Sequence, residues 1–307
     1  MKNSFQPEKD HTVHEAINGY LDEKIGIGSL SKTSVINRRY ELNRFEKFCK
    51  ENKICKPSNI HKNLIISYLK SLKISNSSKL SIIYVLTGFM DYLVDQGLIV
   101  ENIASLIAKP KIYPPAFDYL SYSELERVYQ VTAQKTGKKT VDRNLLLISL
   151  FTDICLRVSE SIQLKLSDVR LDAKELWITR KRNKVDKIPL NEDLVKKFLR
   201  WYDVRVEYKG SETDWVFLSS HGKPLKPRQV HYIVSNALEH AGIIKRKHGP
   251  HLLRHSGASL KAQLGENLIM IQYLLGHENL NTTRRYLHFN WDDLKEMVER
   301  SPILGNK

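Results

Sequence analysis

The feature that most constrains this chain is a break. Lys109-Pro110-Lys111-Ile112-Tyr113-Pro114-Pro115 interrupts a sequence whose apolar residues otherwise recur mostly at helical spacing. Proline lacks the N–H that a helix interior needs, and it pushes its predecessor out of the helical region, so no helix runs through this stretch. Neighbouring lysines and prolines favour an exposed, semi-rigid connector. A length of 307 residues suits two domains at roughly 150 residues each. The spacing therefore predicts a helical domain over 1–108, a linker over 109–116 and a second domain over 117–307.

In the first domain, Val35, Tyr40, Leu42, Phe45, Phe48 and Cys49 repeat at helical intervals, with Arg38, Arg39, Arg44 and Lys47 between them. A second helix is expected near Leu64–Leu72. A third runs from Lys79 to Asp95, capped by Ser77-Ser78 and stopped at Gly97. The basic outer faces of these helices suit a polyanion as well as plain solvation. Past the linker, Ser121 and Glu124 form a capping box for a helix reaching Val131, and Asp142–Thr152 is apolar enough to be buried. The period then changes. Glu175-Leu-Trp-Ile-Thr179 and Asp186-Lys-Ile-Pro-Leu190 are short and β-prone, and the basic stretch Arg180–Val185 between them reads as a hairpin turn. Helices resume over Leu194–Val204, Pro227–His240, Leu252–Leu264 and Leu268–Leu274. A last amphipathic segment carries Trp291, Leu294, Met297 and Val298. The expected class is mainly α with a small β-sheet or hairpin in the second domain.

Charge narrows the partners. The chain has 49 Lys+Arg against 34 Asp+Glu, a net +15, and such an excess draws in polyanions. The longest apolar runs, such as Leu80–Leu86, are too short to span a bilayer, which disfavours a membrane role. The first residues lack the apolar core of a signal peptide, and Cys49, Cys55 and Cys155 are too scattered for a disulfide framework or a zinc site. A cytoplasmic protein without a metal or other cofactor is expected.

The last quarter carries the chemistry: His251-Leu-Leu-Arg254-His255, then Leu275-Gly-His277, then Tyr286, with Leu156-Arg157-Val-Ser-Glu160 upstream and the basic turn between. Phosphodiester exchange without a metal builds extra negative charge on the non-bridging oxygens of a phosphorane. Two guanidiniums, Arg157 and Arg254, can clamp those oxygens, and His277 can add a donor. A tyrosine such as Tyr286 can attack to give a reversible phosphate ester, if nearby cations and a base such as His251 stabilise its oxyanion. A lysine on the hairpin can protonate the leaving 5′-oxygen; Lys181 is the candidate, with Lys184 the alternative. Glu160, three residues beyond Arg157, can orient it.

In this order the motifs resemble the tyrosine recombinase (phage integrase) family, most closely its short Xer-type and transposon-encoded members. The resemblance covers nearly the whole chain, and the ordered set is specific where a single arginine motif is not. It implies a two-domain, C-shaped DNA clamp: a core-binding domain over 1–108 and a catalytic domain over 117–307 ending in a C-terminal helix. It implies a phosphate clamp of Arg157 and Arg254, Lys181 as general acid, His251 in acid–base work, His277 on the phosphate and Tyr286 forming a 3′-phosphotyrosine, with Glu160 and His255 in support. Arg38, Arg39, Arg44, Arg180, Arg182 and Lys184 are the expected DNA contacts. The family pattern further implies dimers on each duplex site, tetramers that exchange strands through a Holliday junction, a C-terminal helix docked into a neighbouring protomer, and room for an accessory protein. The chain departs from the pattern where the usual Gly-Lys-Gly of the hairpin reads Arg180-Lys181-Arg182, and where Cys155 replaces a common glycine. A type IB topoisomerase-like enzyme and a non-catalytic DNA-binding protein are the rival functions.

Overall fold

The computed structural model describes residues 11–112, 118–180, 183–246 and 248–277. Lys181, Arg182, Tyr286 and the segment containing Trp291 lie outside the described residues. The chain divides into two compact units, Met1–Pro115 and Ala116–Lys307.

The first unit contains α1 (Val13–Gly26), α2 (Lys32–Glu51), α3 (Lys62–Ser71) and α4 (Asn76–Asp95). Each begins with a side chain that accepts from a backbone N–H of the first turn: Thr12, Ser31, His61 and Ser75. The cap of α4 is thus Ser75, and the expected Ser77-Ser78 pair falls inside the first turn. From α2, Val35, Leu42, Phe45 and Cys49 enter the core, while Tyr40 stays exposed. Phe45 meets Tyr68 at 5.2 Å between ring centroids, and Tyr20 meets Phe89 at 5.8 Å. Each such burial stabilises by about 2–3 kcal/mol. Two of the arginines expected to contact DNA are partly buried and have partners within the unit. Arg38 donates to the Tyr20 hydroxyl and covers its ring, and Arg39 donates to Asn18 at 3.2 Å, so both tie α2 to α1.

The second unit contains α5 (Tyr122–Lys135), α6 (Val141–Thr152), α7 (Val158–Gln163), β1 (Val169–Arg170), β2 (Glu175–Thr179), β3 (Val185–Pro189), α8 (Glu192–Arg205), α9 (Pro227–His240), α10 (Pro250–Gln263) and α11 (Leu268–Leu275). The strands form one antiparallel sheet in the order β1-β2-β3, with Leu176 opposite Ile188 and Ile178 opposite Asp186. β1 adds a strand to the expected hairpin; two residues carry no periodicity by which to foresee it. α6 is buried all round, as its apolar sequence demands: Leu146, Leu147, Ile148, Leu150 and Phe151 have no exposed surface. It packs between α8 and α10. A methyl group at Gly257 of α10 would fall 1.9 Å from the Thr152 carbonyl oxygen, so glycine is what lets α10 approach the end of α6 this closely. That approach brings Arg254 against the turn that follows α6. Among the described residues, no helix is long and apolar enough to cross a membrane.

Candidate active site

α6 ends in a tight turn in which Cys155 takes a left-handed conformation, φ +56°. This is the position the sequence marked as a departure from glycine. The buried Cys155 side chain instead packs with Ala258, Ile271 and Leu275, and burial pushes its thiol up to about 11, so it is an inert packing group. The turn delivers Arg157 to the residue just before α7. Glu160 caps that short helix by accepting from the Arg157 backbone N–H at 2.7 Å, and it also accepts from the Arg157 guanidinium at 2.6 Å. One carboxylate therefore holds both the backbone and the side chain of Arg157.

Glu160 is 6% exposed and serves more than one arginine. Its Oε2 lies 3.0 Å from Arg180 Nη1 and 3.8 Å from Arg254 Nη1. The Arg180 contact is an ion pair by distance without hydrogen-bond alignment. Burial pushes the Glu160 carboxyl up, but Arg180 and then the Arg157 backbone and guanidinium outweigh it and hold the group below the usual carboxylate range.

The three arginines meet again at the far end of α11. The last carbonyls of a helix have no partner within it and carry its negative partial charge. Arg180 donates to the Leu274 carbonyl at 2.9 Å, Arg254 to Leu275 at 2.6 Å and Arg157 to Gly276 at 3.0 Å. Arg254 is 4% exposed and also donates to the Cys155 carbonyl. Gly276 ends the helix in the left-handed region, φ +55°, and turns the chain into His277. His277 is pinned on both sides of its peptide, by its N–H to the Gln272 carbonyl at 3.1 Å and by its carbonyl accepting from the Gln272 amide at 2.9 Å.

Arg157, Arg254, Glu160 and His277 are thus held by one connected set of contacts. His251, exposed in the first turn of α10, lies one turn before His255, with 6.5 Å between ring centroids. One expectation about the hairpin needs restating. Arg180 is 7% exposed and faces inward, so it is no DNA-surface residue. Its Nε pairs with Asp186 at 3.3 Å, and Asp186 is itself buried. The cause is strand alternation: Leu176, Ile178 and Arg180 share one face, opposite the inward Asp186 and Ile188. Lys184 is exposed, and its Nζ lies 3.2 Å from Asp186. Asp186 was missed by sequence reasoning; it lies two residues before the inward Ile188 on β3, and that alternation signals it.

Comparisons with known proteins place the chain in a family. The phage integrase family model matches residues 118–292, more than half of the chain. The tyrosine recombinase XerH of Campylobacter jejuni is 30% identical over 251 residues, covering 77% of this chain and 69% of that protein. The tyrosine recombinase XerC of Psychromonas ingrahamii is 27% identical over 291 residues, 93% of this chain and 95% of its own. In fold, the chain resembles XerH crystallised with its difH substrate before cleavage, with a TM-score of 0.74 at 23% identity over 97% of this chain and 99% of that one. The chain belongs to the phage integrase family and is a site-specific tyrosine recombinase.

Proposed function

We propose that this recombinase cuts one strand of a specific duplex DNA site with the Tyr286 phenol and rejoins it to a partner strand. The observation that carries the reading is the set of contacts joining Arg157, Arg254 and Glu160 to the end of α11, one residue before His277. Tyr286 follows nine residues later in the sequence. Arg157 and Arg254 hold the non-bridging oxygens of the scissile phosphate, and His277 donates to the same group. The Tyr286 oxygen bonds to phosphorus as its proton passes to a base, with His251 the candidate. The bond from phosphorus to the 5′-oxygen breaks, and Lys181 protonates the leaving oxygen. The 3′-phosphotyrosine keeps the energy of the broken bond, so religation to a new 5′-hydroxyl requires no ATP, and the cations of the site take the charge without a metal.

The difH-bound XerH structures have the same fold and make duplex DNA the natural partner for this chain. Dimers on each site, tetramers in synapsis and a C-terminal helix exchanged between protomers complete the proposal, in the cytoplasm and with an accessory protein where the cell supplies one. Arg38, Arg39, Arg44, Arg182 and Lys184 are the proposed backbone contacts. Affinity is expected to fall with salt at a log–log slope of about −7, for ~8 phosphates neutralised.

The test uses a site selected from random duplex DNA by repeated rounds of binding. Two labelled duplexes of different length carrying it should yield Holliday junctions and exchanged products. Relaxation of supercoiled DNA without exchange would indicate topoisomerase chemistry, and binding with neither product would indicate a DNA-binding protein.

A further inference from the structure

Arg180 has no place in the chemistry described above, yet it is the most heavily engaged charge on the inner face of the sheet. It is the last inward residue of the β2 register, and its own backbone N–H closes the hairpin turn on the Lys184 carbonyl at 2.6 Å. Each arm of its guanidinium reaches a different piece of the site. Nε pairs with Asp186 on β3, Nη1 pairs with Glu160 beside Arg157, and Nη2 donates to the Leu274 carbonyl at the end of α11. The side chain lies flat against the backbone just before His277: a methyl on Gly276 would sit 3.0 Å from its Nε and Cζ. Gly276 is therefore required twice, for its left-handed φ and for the space that Arg180 fills.

We propose that Arg180 is a positioning residue for DNA cleavage. It ties the hairpin that carries Lys181 at the next position to the Glu160–Arg157 pair and to the helix end that presents His277. The proposal rests on the recombinase reading above. A rigid, planar fork is suited to this task, because it donates to Asp186 and Leu274 while its third nitrogen lies beside Glu160, which an ammonium does not do. Arg180 also helps hold the charge on Glu160. That carboxylate is faced by Arg157 ahead of α7, by Arg180 from the end of β2 and by Arg254 from α10, while behind Arg180 stand Asp186 of β3 and Lys184 of the turn. Arg180 acts with Arg157 to hold Glu160 ionised. Without it, Glu160 takes up a proton at higher pH and releases its grip on Arg157.

The test compares wild type, Arg180→Lys and the charge-neutral double variant Arg180→Gly/Asp186→Asn, which leaves no buried carboxylate unpaired. Single-turnover cleavage of a nicked duplex carrying the selected site is measured between about pH 5 and pH 9, with DNA affinity and thermal unfolding alongside. The expected result is folded protein, affinity within about threefold of wild type, and cleavage slowed by about 10²-fold in the double variant, the scale of an ångström-level misplacement. The acid limb of its rate profile moves to higher pH, and Arg180→Lys recovers part of the rate. Wild-type rate and pH profile in the double variant would overturn the proposal. So would a loss that follows unfolding or affinity alone, with no shift of the profile. If wild type itself forms no cleaved product, it is the recombinase reading that fails.

Discussion

Replacing Arg254 by lysine is expected to slow DNA cleavage by about 10²–10³-fold, or roughly 3–4 kcal/mol of transition-state stabilisation, the scale seen when one oxyanion donor is removed. The substitution keeps the charge, so it isolates the geometry. Arg254 is 4% exposed, and its two terminal nitrogens donate to carbonyls from different parts of the chain, Cys155 and Leu275. An ammonium on a flexible stem does not hold both and also present a bidentate face to a phosphate. DNA affinity should change far less than rate, because one phosphate is a small part of the contacted backbone. Single-turnover cleavage and filter binding on the same duplex separate the two effects. Near-wild-type cleavage by Arg254→Lys would remove Arg254 from the reaction.

Glu160→Gln is expected to destabilise the second unit by about 1–3 kcal/mol at neutral pH, because the partly buried Arg157 loses its carboxylate while Arg180 keeps Asp186. The pH dependence follows from the direction of the shift. The folded Glu160 carboxyl is held below its ordinary value of 4.5, so it binds protons less readily folded than unfolded. Its contribution is complete above the unfolded value and is lost as pH falls through the carboxylate range. The stability gap between wild type and Glu160→Gln, measured by urea unfolding at pH 7 and at about pH 4, should therefore narrow on acidification. A gap of equal size at both pH values would show that the charge of Glu160 does not stabilise the fold.

Helix positions in this chain were legible because period and caps agree. Ser121 and Glu124 announce α5, and the apolar run around Leu146–Phe151 announces a buried α6. The break at Pro110–Pro115 marks where one compact unit gives way to the other. The arginine and histidine motifs could be read as one site because each sits at an element boundary: Arg157 before α7, His251 at the start of α10 and His277 after α11. What stayed hidden depends on which way a side chain turns. A charge count places Arg38, Arg39 and Arg180 on surfaces, but each has a partner far away in sequence: Tyr20, Asn18, and Glu160 with Leu274. The use of the α11 carbonyls as a shared anchor for three guanidiniums is likewise invisible in sequence. It depends on the ends of α6, α7, β2, α10 and α11 meeting at one place.

The measurement that tests the central claim most directly is trapping of the covalent complex. Wild type and Tyr286→Phe are incubated with a nicked suicide duplex carrying the selected site, in EDTA, and the products are run on a denaturing gel. The account predicts a shifted, protease-sensitive DNA band with wild type and none with Tyr286→Phe, at similar DNA affinity. An adduct of equal yield with Tyr286→Phe, or no adduct from wild type on a tightly bound site, would contradict it.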